Sequence, residues 1–260
     1  MGEIAFSIGP IAFYWYGLIT ALAIVAAAGI TVWQAKLFFE PVLPIVDLFI
    51  FTVPVCIIFA RLSFVVMDWE LYKNNMVEIL RLWHGGMFFG GALIGFAVAF
   101  YVYTRIFGLA FWRLADLLAP GVALGQAIGQ WANLMNQEAF GFPTALPWGI
   151  YIDFLLRPLG YEQFDFFQPL FLYESIWNIG LFIVLMGFSY LMLKIKWLKP
   201  KGFLFLGYAF FYAVGHFCFD TFRLDGLATG VVHSSQIICL AVGAVVVVLT
   251  VGRIVEAKFR

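Results

Sequence analysis

The sequence predicts an all-α integral membrane protein with seven transmembrane helices, an outer-face arm and a short amphipathic surface helix. Three observations lead there. Charged residues make up 12% of the 260 residues and hydrophobic ones 64%, with a mean hydropathy of +0.98, whereas soluble domains are roughly 25% charged. Apolar stretches of about 20 residues, the length that crosses a bilayer core, recur along the chain. No internal repeat, low-complexity tract or linker separates them, so residues 1–260 read as a single polytopic domain.

The first stretch, at about 11–37, is too long for the apolar core of a signal peptide, follows no basic segment and opens on Tyr14-Trp15-Tyr16. It therefore reads as a retained helix. Further helices are expected at about 44–66, 87–106, 114–135, 169–193, 202–222 and 232–252. Segment 68–82 is too charged to cross, yet its apolar residues recur at helical spacing, which predicts a helix lying along the membrane surface. Residues 137–168 are too polar to cross and too long for a plain connection, which predicts a functional arm.

The 15 basic residues are balanced by 15 acidic ones, so nucleic acid is not an expected partner, since phosphate binding needs a basic excess. Cys56, Cys218 and Cys239 sit apart in apolar stretches without Cys-x-x-Cys or Cys/His spacing. Neither a disulfide framework nor a metal site is expected, and no cofactor. With seven spans, Lys36, Arg105, Arg113, Lys194, Lys196, Lys199, Lys201, Arg253, Lys258 and Arg260 fall on one side, and Lys73, Arg81, Arg157 and Arg223 on the other. The positive-inside rule then puts the N-terminus outside and the C-terminus in the cytoplasm. The 137–168 arm and the Arg223 turn thereby share the outer face.

Polar groups inside hydrocarbon-length segments are costly unless they face protein or a water-filled cavity. The densest patch runs from Gln126 to Gly141 and holds Gln130, Asn133, Asn136 and Glu138. Asn133 and Asn136, three apart, share one face of a helix, with Glu138 partly around the corner. Two amides and an acid can orient a lipid head group or accept a proton. Arg61 and Arg223 are candidates for a lipid phosphate, because the guanidinium fork matches phosphate oxygens and stays charged in apolar surroundings. Asp116, Glu174 and Asp220 are further helix-embedded charges. For each charge a second reading stays open, in which it neutralises a partner and locks helix packing. The Gly91-x-x-x-Gly95 spacing suits close helix contact, and Gly90 suits approach of lipid to the backbone.

At these residues the chain resembles the prolipoprotein diacylglyceryl transferase family. The resemblance runs from Phe6 to about Cys239. It is carried by Trp15-Tyr16-Gly17, Ala60-Arg61-Leu62, the run from Trp83 and His84 to Gly95, the Asn133-x-x-Asn136-x-Glu138-x-x-Gly141 signature, Tyr173-Glu174-Ser175, and Asp220-Thr-Phe-Arg223-Leu-Asp225. It implies a bacterial cytoplasmic-membrane enzyme that moves a diacylglyceryl group from phosphatidylglycerol to the lipobox cysteine thiol of a prolipoprotein, with membrane lipids as its surroundings. On that reading Glu138, Arg223 and Tyr16 are catalytic, and Asn133, Asn136, Arg61, Gln130, Gly141 and His84 bind lipid. Four positions depart from the family pattern. Gly90 replaces a His or Tyr, Gln130 an Arg, Gln168 the His of a His-Pro pair, and His216 an Arg. His84 is the candidate to replace the ring lost at Gly90, His216 reads as an interhelical hydrogen-bond donor, and His233 as a cap on the last span. The alternatives are a non-catalytic lipid- or lipoprotein-binding paralogue and a transferase with altered donor or acceptor.

The charge asymmetry has a direct test. An alkaline phosphatase fusion in the 150–165 arm is expected to be active, and one after Arg260 inactive, as befits an outer arm and a cytoplasmic C-terminus.

Overall fold

A computed structural model describes residues 4–9, 11–82, 85–195, 202–224 and 234–258. In chain order the elements are β1 (Ile4–Ile8), β2 (Ile11–Tyr14), α1 (Trp15–Leu37), α2 (Leu43–Met67), α3 (Trp69–Tyr72), a 3-10 turn (Met76–Leu80), α4 (Phe89–Ile106), α5 (Phe111–Gly129), α6 (Trp131–Asn136), β3 (Ile150–Tyr151), a 3-10 turn (Phe154–Leu156), β4 (Phe166–Phe167), α7 (Leu170–Lys194), α8 (Phe203–Asp220) and α9 (Ser234–Lys258). The protein is a mostly helical membrane protein. Among the described residues α1, α2, α7, α8 and α9 hold stretches long and apolar enough to cross a bilayer, and Gly90–Ile106 is a shorter apolar helix. Residues 1–34 and 115–260 form one compact unit, and residues 35–114 another.

The larger unit begins with an antiparallel hairpin, β1 on β2, where the sequence predicts the first helix from about residue 11. Phe6 and Phe13 stack across it with ring centroids 4.7 Å apart, and Gly9 turns the chain with φ of 59°, a conformation open to glycine. A short apolar run looks the same to a hydropathy window whether it pairs as a strand or coils as a helix. Helix α1 therefore starts only at Trp15.

Small residues let α5 lie close to α1. A Cβ at Gly121 would stand 2.5 Å from the Ala27 carbonyl oxygen, and one at Gly125 3.1 Å from that of Ala23. Buried polar groups pin the remaining helices. Gln34 of α1 donates to Ser189 Oγ of α7 at 2.9 Å. Asp116 of α5 accepts from the backbone N–H of Gly202 at 2.7 Å and of Phe205 at 2.9 Å. It thus meets donors that the start of α8 leaves without an intrahelical partner. Helix α8 packs on both α7 and α9.

The arm after α6 has its own core of Phe140, Ile152, Phe167 and Leu224. Arg157 ties it together, donating to the carbonyls of Ile152 at 2.9 Å and Glu162 at 2.8 Å and to Asp165 Oδ1 at 2.8 Å. The predicted polar stretch is therefore a folded element, built on the β3–β4 pair.

In the smaller unit α2 packs on α4 through Gly91 and Gly95. A Cβ at Gly95 would lie 2.8 Å from Phe59 Cβ and 3.1 Å from both Cys56 Cα and the Val55 carbonyl oxygen. The predicted surface helix at 68–82 is not continuous. It divides into α3 and the 3-10 turn, with Asn75 at φ −149° between them. The reason lies beneath it: the carbonyls of Glu78, Ile79 and Arg81 accept from the Arg61 guanidinium, which draws them away from a helical ladder.

Gly95→Val is expected to lower the thermal midpoint of the detergent-solubilised protein, because crowding a packed contact costs about 1–3 kcal/mol. Gly180→Ala, at a position with nothing within 4 Å of the added Cβ, is expected to leave it unchanged. Differential scanning fluorimetry on both variants checks the contrast.

Candidate active site

The sequence expects one helix over about 114–135, but the chain divides at Gln130 into α5 and α6. Gln126 and Gln130, four apart, share a face. Gln126 Oε1 accepts from Tyr208 at 2.5 Å. One turn on, Gln130 Nε2 donates to Glu174 Oε2 of α7 at 2.5 Å, and its Oε1 accepts from Asn133 Nδ2 at 2.7 Å. His216 of α8 brings Nδ1 to 3.5 Å from the same Glu174 oxygen, its ring stacked on Tyr212 with centroids 5.7 Å apart. Trp131 Nε1 donates to Ser175 Oγ at 3.1 Å, and that hydroxyl donates to the Ala127 carbonyl at 2.8 Å. The signature helix is thus fixed to α7 on both sides of Gln130.

Helix α6 ends at Asn136 because Gln137 and Ala139 both take φ of 54°. Non-glycine residues adopt this left-handed conformation rarely, and it is held where surrounding contacts enforce it. Those contacts are present. Glu138 N donates to the Asn133 carbonyl at 2.9 Å and Phe171 N to the Ala139 carbonyl at 3.2 Å, while Gln137 Oε1 accepts from Asp153 N at 2.6 Å. The turn takes Glu138 out of helical register with Asn133 and Asn136, and its Oε1 accepts from Asn136 Nδ2 at 3.4 Å. Tyr16 lies within electrostatic reach of the Glu138 carboxylate.

The end of α8 meets this turn through its backbone. Leu224 N donates to the Phe140 carbonyl at 3.1 Å, so Arg223 and Glu138 flank one hydrogen bond. Gly141 is needed beside it, since a Cβ there would stand 3.0 Å from the Phe222 carbonyl oxygen and 3.3 Å from the Gln168 and Leu170 side chains. Asn133, Asn136, Glu138, Gly141, Gln130, Tyr16 and Arg223 thus belong to one connected region of the larger unit.

Arg61 and Gly90 belong to the smaller unit. Arg61 is 4% exposed, and its guanidinium donates to the carbonyls of Ile79 at 3.0 Å, Gly86 at 2.9 Å, Glu78 at 2.6 Å, Arg81 at 3.2 Å and also Gly85. It lies 5.1 Å from the centroid of the Tyr72 ring. The Phe88 ring packs over Gly90, with Cε1 only 2.5 Å from where a Cβ would stand. His84, Asp225 and His233 lie outside the described residues.

The family model for prolipoprotein diacylglyceryl transferase matches residues 3–252. The chain belongs to this family. A Listeria monocytogenes protein named phosphatidylglycerol–prolipoprotein diacylglyceryl transferase is 38% identical over 263 residues, covering 100% of this chain and 91% of its own. Proteins of the same name from Synechocystis, 38% identical over 92% of this chain and 84% of their counterpart, and Acaryochloris marina, 37% identical over 92% and 86%, are similar along the same length.

The Gln130 network holds two groups outside the site residues expected from the sequence, Glu174 and His216. In the sequence Glu174 stands among the helix-embedded charges and in one motif of the resemblance, and His216 as an interhelical donor at a position that departs from the family pattern. The available signal was the carboxylate itself, since an ionisable side chain within an apolar helix marks a site by default. Its partner, an amide 44 residues away, was not visible in any local pattern.

All five N–H groups of Arg61 are directed at carbonyls, so Arg61→Lys is expected to destabilise the 73–86 segment by about 1–3 kcal/mol, since one ammonium leaves buried acceptors unmet. Faster proteolytic cleavage within that segment, with the arm's cleavage unchanged, is the expected readout.

Proposed function

We propose that this chain transfers the diacylglyceryl group of phosphatidylglycerol to the lipobox cysteine thiol of a prolipoprotein, at the outer leaflet of a bacterial cytoplasmic membrane. In this reading α1, α2, α4, α5, α7, α8 and α9 all cross the bilayer, the N-terminus is outside and the C-terminus cytoplasmic. Family membership supports the reaction. The hydrogen bond from Leu224 N to the Phe140 carbonyl, which brings the Arg223 and Glu138 segments together, supports the assignment of roles.

The chemistry needs a proton acceptor and a cation. A cysteine thiol has an ordinary pKa of about 8.5, and only its thiolate is the nucleophile. Glu138 takes the thiol proton, with Asn136 orienting its carboxylate and Tyr16 facing the same charge. The sulfur forms a bond to the terminal glyceryl carbon of the diacylglycerol as that carbon's bond to the phosphate oxygen breaks. Glycerol phosphate leaves carrying the electron pair, and Arg223 stabilises its developing charge. Arg61 holds the 78–86 loop through carbonyls, and Gly141 lets the arm and the Arg223 turn approach.

Gln130 bonded to Glu174, together with the Phe88 ring over Gly90, favours one second reading, a transferase with altered donor or acceptor. A single assay covers both: purified protein, phosphatidylglycerol and a lipobox peptide, with thioether formation followed by mass. Arg223→Ala is expected to lower transfer by on the order of 10- to 100-fold, the loss of one charge-assisted hydrogen bond of about 1.5–3 kcal/mol. Arg223→Lys is expected to fall between, keeping the charge without the fork. Equal rates in all three proteins would remove Arg223 from the site, and selective phosphatidylglycerol binding without transfer would favour a binding paralogue.

A further inference from the structure

The ladder of side chains from Glu174 through Gln130 to Asn133 has a direction. A carboxylate offers acceptors only, whereas a carboxamide has donors on one arm and an acceptor on the other. The Gln130 arm 2.5 Å from Glu174 Oε2 is therefore its NH2. Its carbonyl arm must then face Asn133, and Asn133 answers with its own NH2 at 2.7 Å. Turning Gln130 over would set Oε1 against a carboxylate oxygen, two acceptors in contact. Glu174 is 6% exposed, leaving it little room to turn away. Among the described residues no donor takes the remaining arm of Asn133, its Oδ1.

We infer that Glu174 is a positioning residue which sets this direction, and that Asn133 thereby presents an acceptor, Oδ1, to a hydroxyl group on the head group of the donor lipid. The inference rests on the transferase reading above and adds to it what the site selects. An amide oxygen repels phosphate oxygens, so Asn133 does not take the phosphate through that arm. A hydroxyl fits, and phosphatidylglycerol carries two on its head-group glycerol. The site on this account tells phosphatidylglycerol from an anionic phospholipid of equal charge that lacks a hydroxyl.

Phosphatidylpropanol supplies that comparison, having the same phosphodiester and no hydroxyl. Competition binding of the two lipids to the purified wild-type protein in mixed micelles is expected to favour phosphatidylglycerol by about tenfold, the ratio that one net hydrogen bond provides. Asn133→Ala is expected to abolish the preference. Asn133→Asp puts a carboxylate against the Gln130 carbonyl, and is expected to reduce both the preference and the transfer rate at least tenfold. Adding Glu174→Gln to Asn133→Asp keeps the total charge of the wild type and lets the ladder run in reverse. The new amide at position 174 then donates to the Gln130 carbonyl, and Gln130 donates to the new carboxylate. A free acceptor again faces the lipid, and most of the loss is expected to be recovered.

A purely packing role for Glu174 predicts the opposite, that the second substitution deepens the loss. Equal binding of the two lipids by the wild-type protein overturns the inference without any variant. So does a double variant no better than a folded Asn133→Asp protein. Transfer from both lipids at equal rates sinks the inference and leaves the transferase reading standing. Selective binding with no transfer does the reverse.

Discussion

A carboxylate between apolar helices must be met by donors, and at Glu174 the donor is Gln130. Much of the larger unit's arrangement depends on that pairing. It joins the α5–α6 junction to the second turn of α7 and leaves Asn133 one arm to use. The neighbouring bonds from Trp131 to Ser175 and from Ser175 to Ala127 hold the same two helices together. An unpaired group at this depth would cost several kcal/mol, so helix placement and site geometry are set by one condition.

The same condition recurs at a second carboxylate and at a cation, with a different outcome. Asp116 is satisfied by the backbone donors at the start of α8, and Arg61 by carbonyls of the 78–86 segment. Both act on backbone, and both shape the chain around them. Side chains that meet other side chains, as Gln130 meets Glu174 and Asn133, are the ones left with a further arm to offer. Charge inside a helix thus separates into scaffold and site according to what answers it.

Close backbone approach supplies the second constraint. Helices in a bilayer gain little from excluding water, so contact between them relies on packing at small residues. Gly121 and Gly125 perform this for α1 and α5, and Gly91 and Gly95 for α2 and α4. Gly141 does so in the arm, where it permits the strand-like contact between the turn after α6 and the end of α8. The arm in turn encloses Phe140 and Leu224 in its own core, which gives the Glu138 and Arg223 segments a common rigid support.

Composition and stretch length alone determined that the chain is a membrane protein and where its long apolar helices lie, and they marked the stretch from Gln130 to Gly141 as polar against that background. Those properties are local, because crossing a bilayer asks only for apolar length and an intramembrane amide or acid stands out against it. Tertiary structure decided the rest. The hairpin before Trp15 rests on a pairing that hydropathy does not register, whereas the division of 68–82 rests on Arg61 and the break at Gln130 lies against Glu174, 44 residues away. On a helix Asn133 and Asn136 share one face with Glu138 partly around the corner, and the left-handed turn at Gln137 takes Glu138 out of that register altogether. Arg61 is open in the sequence to a lipid phosphate or to a packing role, and in the structure its five donors are directed at backbone carbonyls. In each case the residue type was visible in the sequence, but its role followed from what sat opposite, and no periodicity records which distant group will satisfy a buried hydrogen bond.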